Sequence, residues 1–293
     1  MNYYLCFDIG GSSMKCGLIS HEGKMLDKRS YPMTSTLDEL IDCMKDYYSI
    51  FKTQYAIEGV AISCCGSVDC ETGIITGCSA VPFIHGFSWK ELIQKELNLP
   101  CAIENDANCA ALSEIYFGQA KNVKNMAFFV IGTGVGGAII TDGKISHGAN
   151  RYAGEFGMML VEDDLGNIQN FSLLASTSSM VRKMEQYTSQ SWNGKRIFEE
   201  AKNGNRLCQK TIDTFYHNLA MGVYNIQHTI DPEMILFGGG ISERDDFVDS
   251  LMNAYEAICE KLDFDSLRPN CKCCTYRQDA NLFGALANFI SRY

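Results

Sequence analysis

The chain has 293 residues, enough for two compact halves that each bury a core. With 46% hydrophobic and 20% charged residues it reads as a globular enzyme, and a formal net charge of −10 argues against a nucleic-acid or anionic-membrane surface. No apolar run reaches the roughly 18 residues of a membrane span and no secretory signal is visible; the 14 cysteines, several inside apolar runs, fit the reducing cytoplasm.

Tyr3-Tyr4-Leu5-Cys6-Phe7 opens the chain as a strand. It belongs to "CFDIGGSSMKCGLISHEGK", residues 6–24: an apolar strand ending in Ile-Gly, a Gly/Ser turn, a second apolar strand and a Gly-Lys turn. Leu37, Leu40, Ile41, Met44, Tyr47, Tyr48 and Phe51 then recur at three- and four-residue spacing, which predicts a helix. Gly59–Cys64 reads as a buried strand, Trp89–Leu97 as a helix, Cys101–Ile103 as a strand and Ala107–Phe117 as a helix.

Residues 128–144, "FFVIGTGVGGAIITDGK", carry Gly132, Gly134 and Gly137 at the spacing G-x-G-x-x-G. In a dinucleotide fold those glycines stand between a strand and a helix. Here they are followed by the short β-branched run Ala138–Thr141 and then Asp142-Gly143, a strong hairpin-turn pair. The order is strand, turn, strand. Further on, helices are expected over Leu173–Tyr187, Gly194–Lys202 and Cys208–Thr229, and Met234–Phe237 is a strand running into Gly238-Gly239-Gly240. A helix over Phe247–Lys261, a strand near Cys274–Tyr276 and a last helix from Ala280 complete the chain. Cys271-x-Cys273-Cys274 lacks a second ligand pair at zinc-like spacing and reads as a buried strand.

The same hairpin thus occurs twice, more than a hundred residues apart, which implies two related α/β domains with mixed sheets flanked by helices. Two small-residue turns would let backbone N–H groups approach phosphate oxygens as a clamp. Asp8, beside Gly10 and Gly11, would repel phosphate directly but suits Mg²⁺ or its water shell. Lys15 either approaches a transferring phosphoryl group or caps the hairpin. Glu104-Asn105-Asp106 lies between a strand and a helix, where Asn and Asp are ordinary caps. A carboxylate at that place can also take the proton from a nucleophilic hydroxyl during phosphoryl transfer.

"DIGGSSMK" (8–15), "IGTGVGGA" (131–138), "FGGGIS" (237–242), "ENDANCAAL", "AGEFG" and the closing "DANLFGAL" together resemble the ROK family (repressors, open reading frames, kinases) across nearly the whole chain. The resemblance implies the two-domain actin-like (ribonuclease H-like) ATPase fold. Residues 1–118 would be the smaller domain, joined by the C-terminal helix 280–293, and 119–280 the larger, with a sugar cleft that closes to exclude water. It also implies ATP with Mg²⁺ as cofactors. Asp8, Gly10, Gly11, Ser12 and Lys15 form the first phosphate motif, with Ser12 where Thr is usual, and Asp8 holds Mg²⁺ through water or phosphate. Gly132, Thr133, Gly134 and Gly136 form the second, and Gly238, Gly239 and Gly240 lie along adenosine. Asp106 is then the catalytic base, while Asn105, Glu155 and Gly66 of "CCGSVD" bind the sugar, Cys65 replacing the family's usual proline.

Most members continue G-E-x-G-H, then a zinc-binding cysteine cluster and a second sugar-binding glutamate. Here Met158 stands at the histidine position, Ser172 at that of the glutamate, and no cysteine occurs between Cys109 and Cys208, so no structural zinc is expected. These changes relax the polar demand at the anomeric end of the sugar. They make the chain most similar to the zinc-free β-glucoside kinases, which phosphorylate the 6-hydroxyl of cellobiose-like glucosides. A glucokinase or N-acetylmannosamine kinase is the near alternative, and a non-catalytic sugar sensor the more distant one. Only seven residues precede Asp8, leaving no room for the DNA-reading module of the family's repressors. A cytoplasmic homodimer is the family's usual form.

Overall fold

The computed structural model describes residues 2–77, 79–163, 166–264 and 267–293. They form two compact units, one comprising Met1–Asn122, His147–Tyr152 and Gln278–Tyr293, the other Val123–Ser146 and Ala153–Arg277. The split falls at 122/123 where the sequence suggested 118/119, and residues 147–152, expected in the larger half, group with the first unit.

In the first unit, β1 (Tyr3–Ile9), β2 (Ser13–Ser20) and β3 (Met25–Pro32) form an antiparallel meander. Helix α1 (Leu37–Phe51) then leads to β4 (Ile57–Cys64), which is parallel to β1. The small hairpin β5 (Ser67–Asp69) and β6 (Ile74–Thr76) precedes α2 (Trp89–Leu97), β7 (Cys101–Asn105) and α3 (Asp106–Tyr116). The sheet order is β3-β2-β1-β4-β7, with β7 parallel to β4. α1 starts where Thr36 accepts from the Glu39 N–H and buries Leu40, Ile41, Met44, Tyr47 and Phe51, one stripe of its 3.6-residue period. Those side chains pack with Phe7, Ile62 and Trp89 in the unit's core.

The second unit repeats the pattern. β8 (Met126–Ile131), β9 (Val135–Thr141) and β10 (Lys144–Ile145) form the meander, its second turn taken by Asp142 and Gly143, both at positive φ (51° and 75°), as a tight hairpin turn requires. A hairpin of β11 (Leu160–Glu162) and β12 (Ile168–Asn170) is followed by α4 (Phe171–Ala175), α5 (Thr177–Thr188), α6 (Gly194–Lys202) and α7 (Arg206–Ile230). Then come β13 (Met234–Gly238), α8 (Phe247–Lys261) and β14 (Cys271–Cys273). The sheet order is β10-β9-β8-β13-β14, the last two contacts parallel, so both sheets share one order and one set of directions. Phe129 stacks on Phe237 at 5.5 Å and Phe237 meets Phe247 edge-on, anchoring this sheet to α8. The closing helix α9 (Ala280–Arg292) belongs to the first unit.

Two expected elements differ in their bounds, and one strand had no counterpart in the sequence pattern. The helix expected over 173–187 is broken at Ser176, whose extended backbone (ψ 161°) frees its hydroxyl to cap α5 at the Ser179 N–H. The last strand is Cys271–Cys273 and not 274–276; Cys274, just beyond it, donates its N–H to the Phe237 carbonyl. Strand β3 carries Asp27, Lys28, Arg29 and Ser30 and is mostly exposed, so it showed no apolar run. The thirteen described cysteines are free thiols; Cys78 lies outside the described residues.

Candidate active site

Asp8 is the penultimate residue of β1 and is buried, with only 6% of its surface exposed. A buried carboxylate needs donors, and it has three. Oδ1 accepts from Ser63 Oγ on β4 (3.1 Å) and Asn281 Nδ2 on α9 (3.0 Å), and Oδ2 pairs with Lys15 Nζ on β2 (3.2 Å). Lys15 also donates to the Gln278 carbonyl (3.1 Å), so it is tied to Asp8 and the start of α9 and does not cap the hairpin. A carboxylate offers about four lone-pair sites; one is left for a water of a hydrated cation, so the residues present fit an outer-sphere Mg²⁺. In the adjoining turn the Gly10 N–H is spent on the Ser13 carbonyl. The N–H groups of Gly11 and Ser12, both exposed, have no protein acceptor among the described residues. A Cβ on Gly11 would come within 2.9 Å of Ala80.

At the far edge of the same sheet, β7 runs directly into α3. Asn105 caps the helix: its Oδ1 accepts from the N–H groups of Ala107 (2.9 Å) and Asn108 (3.2 Å), and its Nδ2 donates to the Gly66 carbonyl (3.1 Å). Gly66 sits at φ +106°, where a side chain is strained and a Cβ would meet Ile75 at 2.8 Å; hence glycine there. Asp106 is the first residue of α3, half-buried, with Oδ1 taking the Ala107 N–H at 2.8 Å. The cap is therefore Asn105, and Asp106 stands beside it at the positive end of the helix, which favours an anion. Glu104 is buried beneath them. Its Oε1 accepts from Asn105 N (2.8 Å) and Asn108 Nδ2 (3.0 Å), and its Oε2 meets His147 Nε2 (2.8 Å). Burial pushes the Glu104 carboxyl up, but hydrogen bonds and charge from His147, with Asn108 and Cys70, outweigh it and hold the carboxyl below its usual range.

In the second unit the turn between β8 and β9 closes on itself, Gly132 N–H to Gly134 carbonyl at 2.9 Å. Two residues that the sequence reading did not assign to it hold it in place. Ser172 Oγ on α4 accepts the Val135 N–H (3.0 Å), and Thr177 at the start of α5 donates its N–H (3.0 Å) and hydroxyl to the Gly132 carbonyl. Ser172 thus buttresses the glycine turn. The N–H groups of Thr133 and Gly134 have no protein acceptor among the described residues. Gly136 lies outside the turn, in β9 opposite Val130. A Cβ on Gly137 would meet Phe156 at 2.3 Å, and one on Gly157 the Val135 carbonyl at 2.0 Å; the "AGEFG" glycines serve close packing on β9. Glu155 between them is exposed, yet desolvation by the surrounding protein raises its carboxyl pKa. Gly238 ends β13, Gly239 (φ +87°) would drive a Cβ into the Ile131 carbonyl at 2.1 Å, and Gly240 is exposed with open space around it.

The model of the ROK family matches residues 4–291. The chain belongs to the ROK family. It is 32% identical to the beta-glucoside kinase of Klebsiella pneumoniae over 98% of this chain and 96% of that one. It is 31% identical to the beta-glucoside kinase of Listeria monocytogenes over 97% and 96%. Among solved structures, a ROK family protein of Streptococcus pneumoniae in complex with sucrose is 40% identical, superposes with a TM-score of 0.92, and is covered to 98% by 99% of this chain. The duplicated mixed sheets are those of the actin-like ATPase fold.

Proposed function

We propose that the protein is an ATP-dependent sugar kinase that transfers the γ-phosphate to the 6-hydroxyl of a β-glucoside of the cellobiose type. The observation that carries this reading is the division of labour at the start of α3. Asn105 caps the helix end, and the neighbouring carboxylate of Asp106, oriented by the Ala107 N–H at the first turn of α3, takes up the substrate proton. Asp106 accepts the proton of the sugar hydroxyl as its oxygen attacks phosphorus. The second Nδ2 hydrogen of Asn105, the turn at Gly66 and the carboxylate of Glu155 orient the hydroxyls.

Backbone N–H groups at Gly11 and Ser12, and at Thr133 and Gly134, bind phosphate oxygens, and Gly238–Gly240 let adenosine lie against bare backbone. Asp8 holds Mg²⁺ through its water shell, the ion neutralising charge on the phosphates, and Lys15 balances Asp8. The glucoside assignment is supported by the beta-glucoside kinases in the family and by the sucrose held by the Streptococcus pneumoniae relative, an α-glucoside whose glucose likewise carries a substituent on its anomeric carbon. Met158 and Ser172 support it too, since neither presents the polar pair that a free anomeric hydroxyl would engage. A cytoplasmic homodimer belongs to the same reading; exposed Leu160, Ile168 and Tyr187 on the second unit offer apolar surface for it.

The test is sugar-dependent ADP release with MgATP across cellobiose, other β-glucosides, glucose, N-acetylmannosamine and sucrose, with the phosphate position read by NMR. Cellobiose should give the highest kcat/KM. A tenfold advantage for glucose or an N-acetylhexosamine overturns the glucoside assignment, and no turnover with any sugar overturns the kinase.

A further inference from the structure

Away from the phosphate turns, Cys70 at the end of the β5 segment, Glu104 on β7 and His147 after β10 converge within the first unit. Their ligand atoms all lie within 4.8 Å of one another, in the sole such cluster of three metal-ligating side chains among the described residues. We propose that Cys70, Glu104 and His147 form a binding site for a divalent transition-metal ion of the zinc class.

The geometry is close to what such an ion needs. Cys70 Sγ is 3.0 Å from Glu104 Oε2 and 3.7 Å from His147 Nε2, which is itself 2.8 Å from Oε2. Tetrahedral Zn²⁺ with bonds of about 2.0–2.3 Å sets its ligands roughly 3.3–3.6 Å apart. Two of the three separations therefore open by about half an ångström, within the reach of small side-chain rotations. The donor set suits the ion: one thiolate, one imidazole and one carboxylate, whose two negative charges cancel a dication in a buried setting. Cys70 and Glu104 are 5% and 1% exposed, while the imidazole of His147 is 32% exposed and opens a path for entry.

Coordination would use only atoms not needed elsewhere. The ion replaces the two hydrogens now shared with Oε2. The Cys70 thiol proton passes to solvent, and the Nε2 proton either leaves an imidazolium or moves to Nδ1. Glu104 Oε1 keeps its bonds to Asn105 N and Asn108 Nδ2, so the start of α3 stays in place. Arg292, the neighbouring cation, is held by Glu71 Oε1 (2.7 Å) and Asn288 Oδ1 (2.9 Å). The site is separate from the segment after Glu155, which has Met158 and no cysteine before Cys208.

The experiment is a Co²⁺ and Zn²⁺ titration of the full chain after chelator treatment, followed by visible absorption and thermal unfolding. Binding of one equivalent is expected, with a thiolate-to-cobalt charge-transfer band, intense tetrahedral d–d bands and a midpoint raised by Zn²⁺. Cys70→Ser should abolish the charge-transfer band and the thermal shift, and His147→Gln should weaken binding by at least ~10-fold. Both side chains can still hydrogen-bond to Glu104, so these variants should fold; circular dichroism checks that. A chain that binds no cobalt, or whose band survives Cys70→Ser or follows a Cys271→Ala/Cys273→Ala change instead, overturns the assignment.

Discussion

Asn281 on the last helix donates its Nδ2 hydrogen to Oδ1 of Asp8 at 3.0 Å, across 273 positions of sequence. Ser63 donates to the same oxygen, so the carboxylate is aimed both by β4, the strand paired with β1, and by α9. Losing a hydrogen bond to a charged group costs about 1.5–3 kcal/mol, or roughly ten- to a hundredfold in rate if expressed in the transition state. Asn281→Ala should lower kcat/KM for MgATP by at least ~10-fold. Ser63→Ala should do likewise, and the double variant should lose less than the product of the two, because both act through one oxygen. Steady-state kinetics at varied Mg²⁺ measures this; an Asn281→Ala enzyme with unchanged kcat/KM would show that Asp8 needs no such aiming.

Asp106 and Asn105 should separate cleanly. Asp106→Asn removes the proposed proton acceptor and should cut kcat by ~10²-fold or more, with little change in thermal midpoint because the Asn105 cap is untouched. Asn105→Ala removes the cap and the link to Gly66, and should cost about 1 kcal/mol of stability together with a raised sugar KM. Paired melting curves and kinetics distinguish the two. Normal turnover in folded Asp106→Asn removes that carboxylate from the chemistry.

What sequence could reveal was local. Both glycine turns were readable because apolar runs flank them, and after the second the pair Asp142-Gly143 demands positive φ. Helices α2, α6 and α8 begin and end where their apolar spacing does, α2 and α6 behind Ser88 and Asn193 caps. Partners distant in sequence were not readable. Ser172 lies 37 positions from the Val135 amide it accepts, and Ser63 lies 55 from Asp8; no periodicity marks either serine. His147 lies in none of the predicted elements, and only a tertiary contact groups it with Glu104. The break at Ser176 was hidden for a related reason: the apolar spacing of α4 and α5 runs on through it, and only the hydroxyl's bond to the Ser179 N–H fixes where the second helix starts.

The buried thiols make alkaline stability a test of the core. Burial pushes the thiols of Cys6, Cys16 and Cys101 far above 9.0 and that of Cys271 up to about 12. The folded protein keeps these protons at a pH where the unfolded chain releases them, so ionisation favours unfolding. Their contribution should be complete below pH 9.0 and fall as pH rises beyond it. Under reducing conditions the thermal midpoint should therefore decline steeply from about pH 9 upward, and less steeply in Cys6→Ala. A disulfide reagent at neutral pH should titrate far fewer than the 14 thiols until denaturant is added. A full count in the native state would contradict the burial.

Gly284 tests the contact that joins the last helix to α3. A Cβ built there would lie 1.6 Å from the Cys109 carbonyl oxygen in the middle of α3, far inside contact distance and against backbone that cannot swing aside. Helix propensity alone would make Gly284→Ala stabilising by close to 1 kcal/mol. Overpacking typically costs 1–3 kcal/mol, and a clash this deep belongs at or beyond the upper end. The net change should be destabilising, because α9 must shift away from α3. That shift also moves Asn281, one turn earlier, away from Asp8, so kcat/KM for MgATP should fall along with the thermal midpoint. An alanine variant that melts at or above the wild-type temperature would mean that α9 and α3 are not as close as the glycine implies.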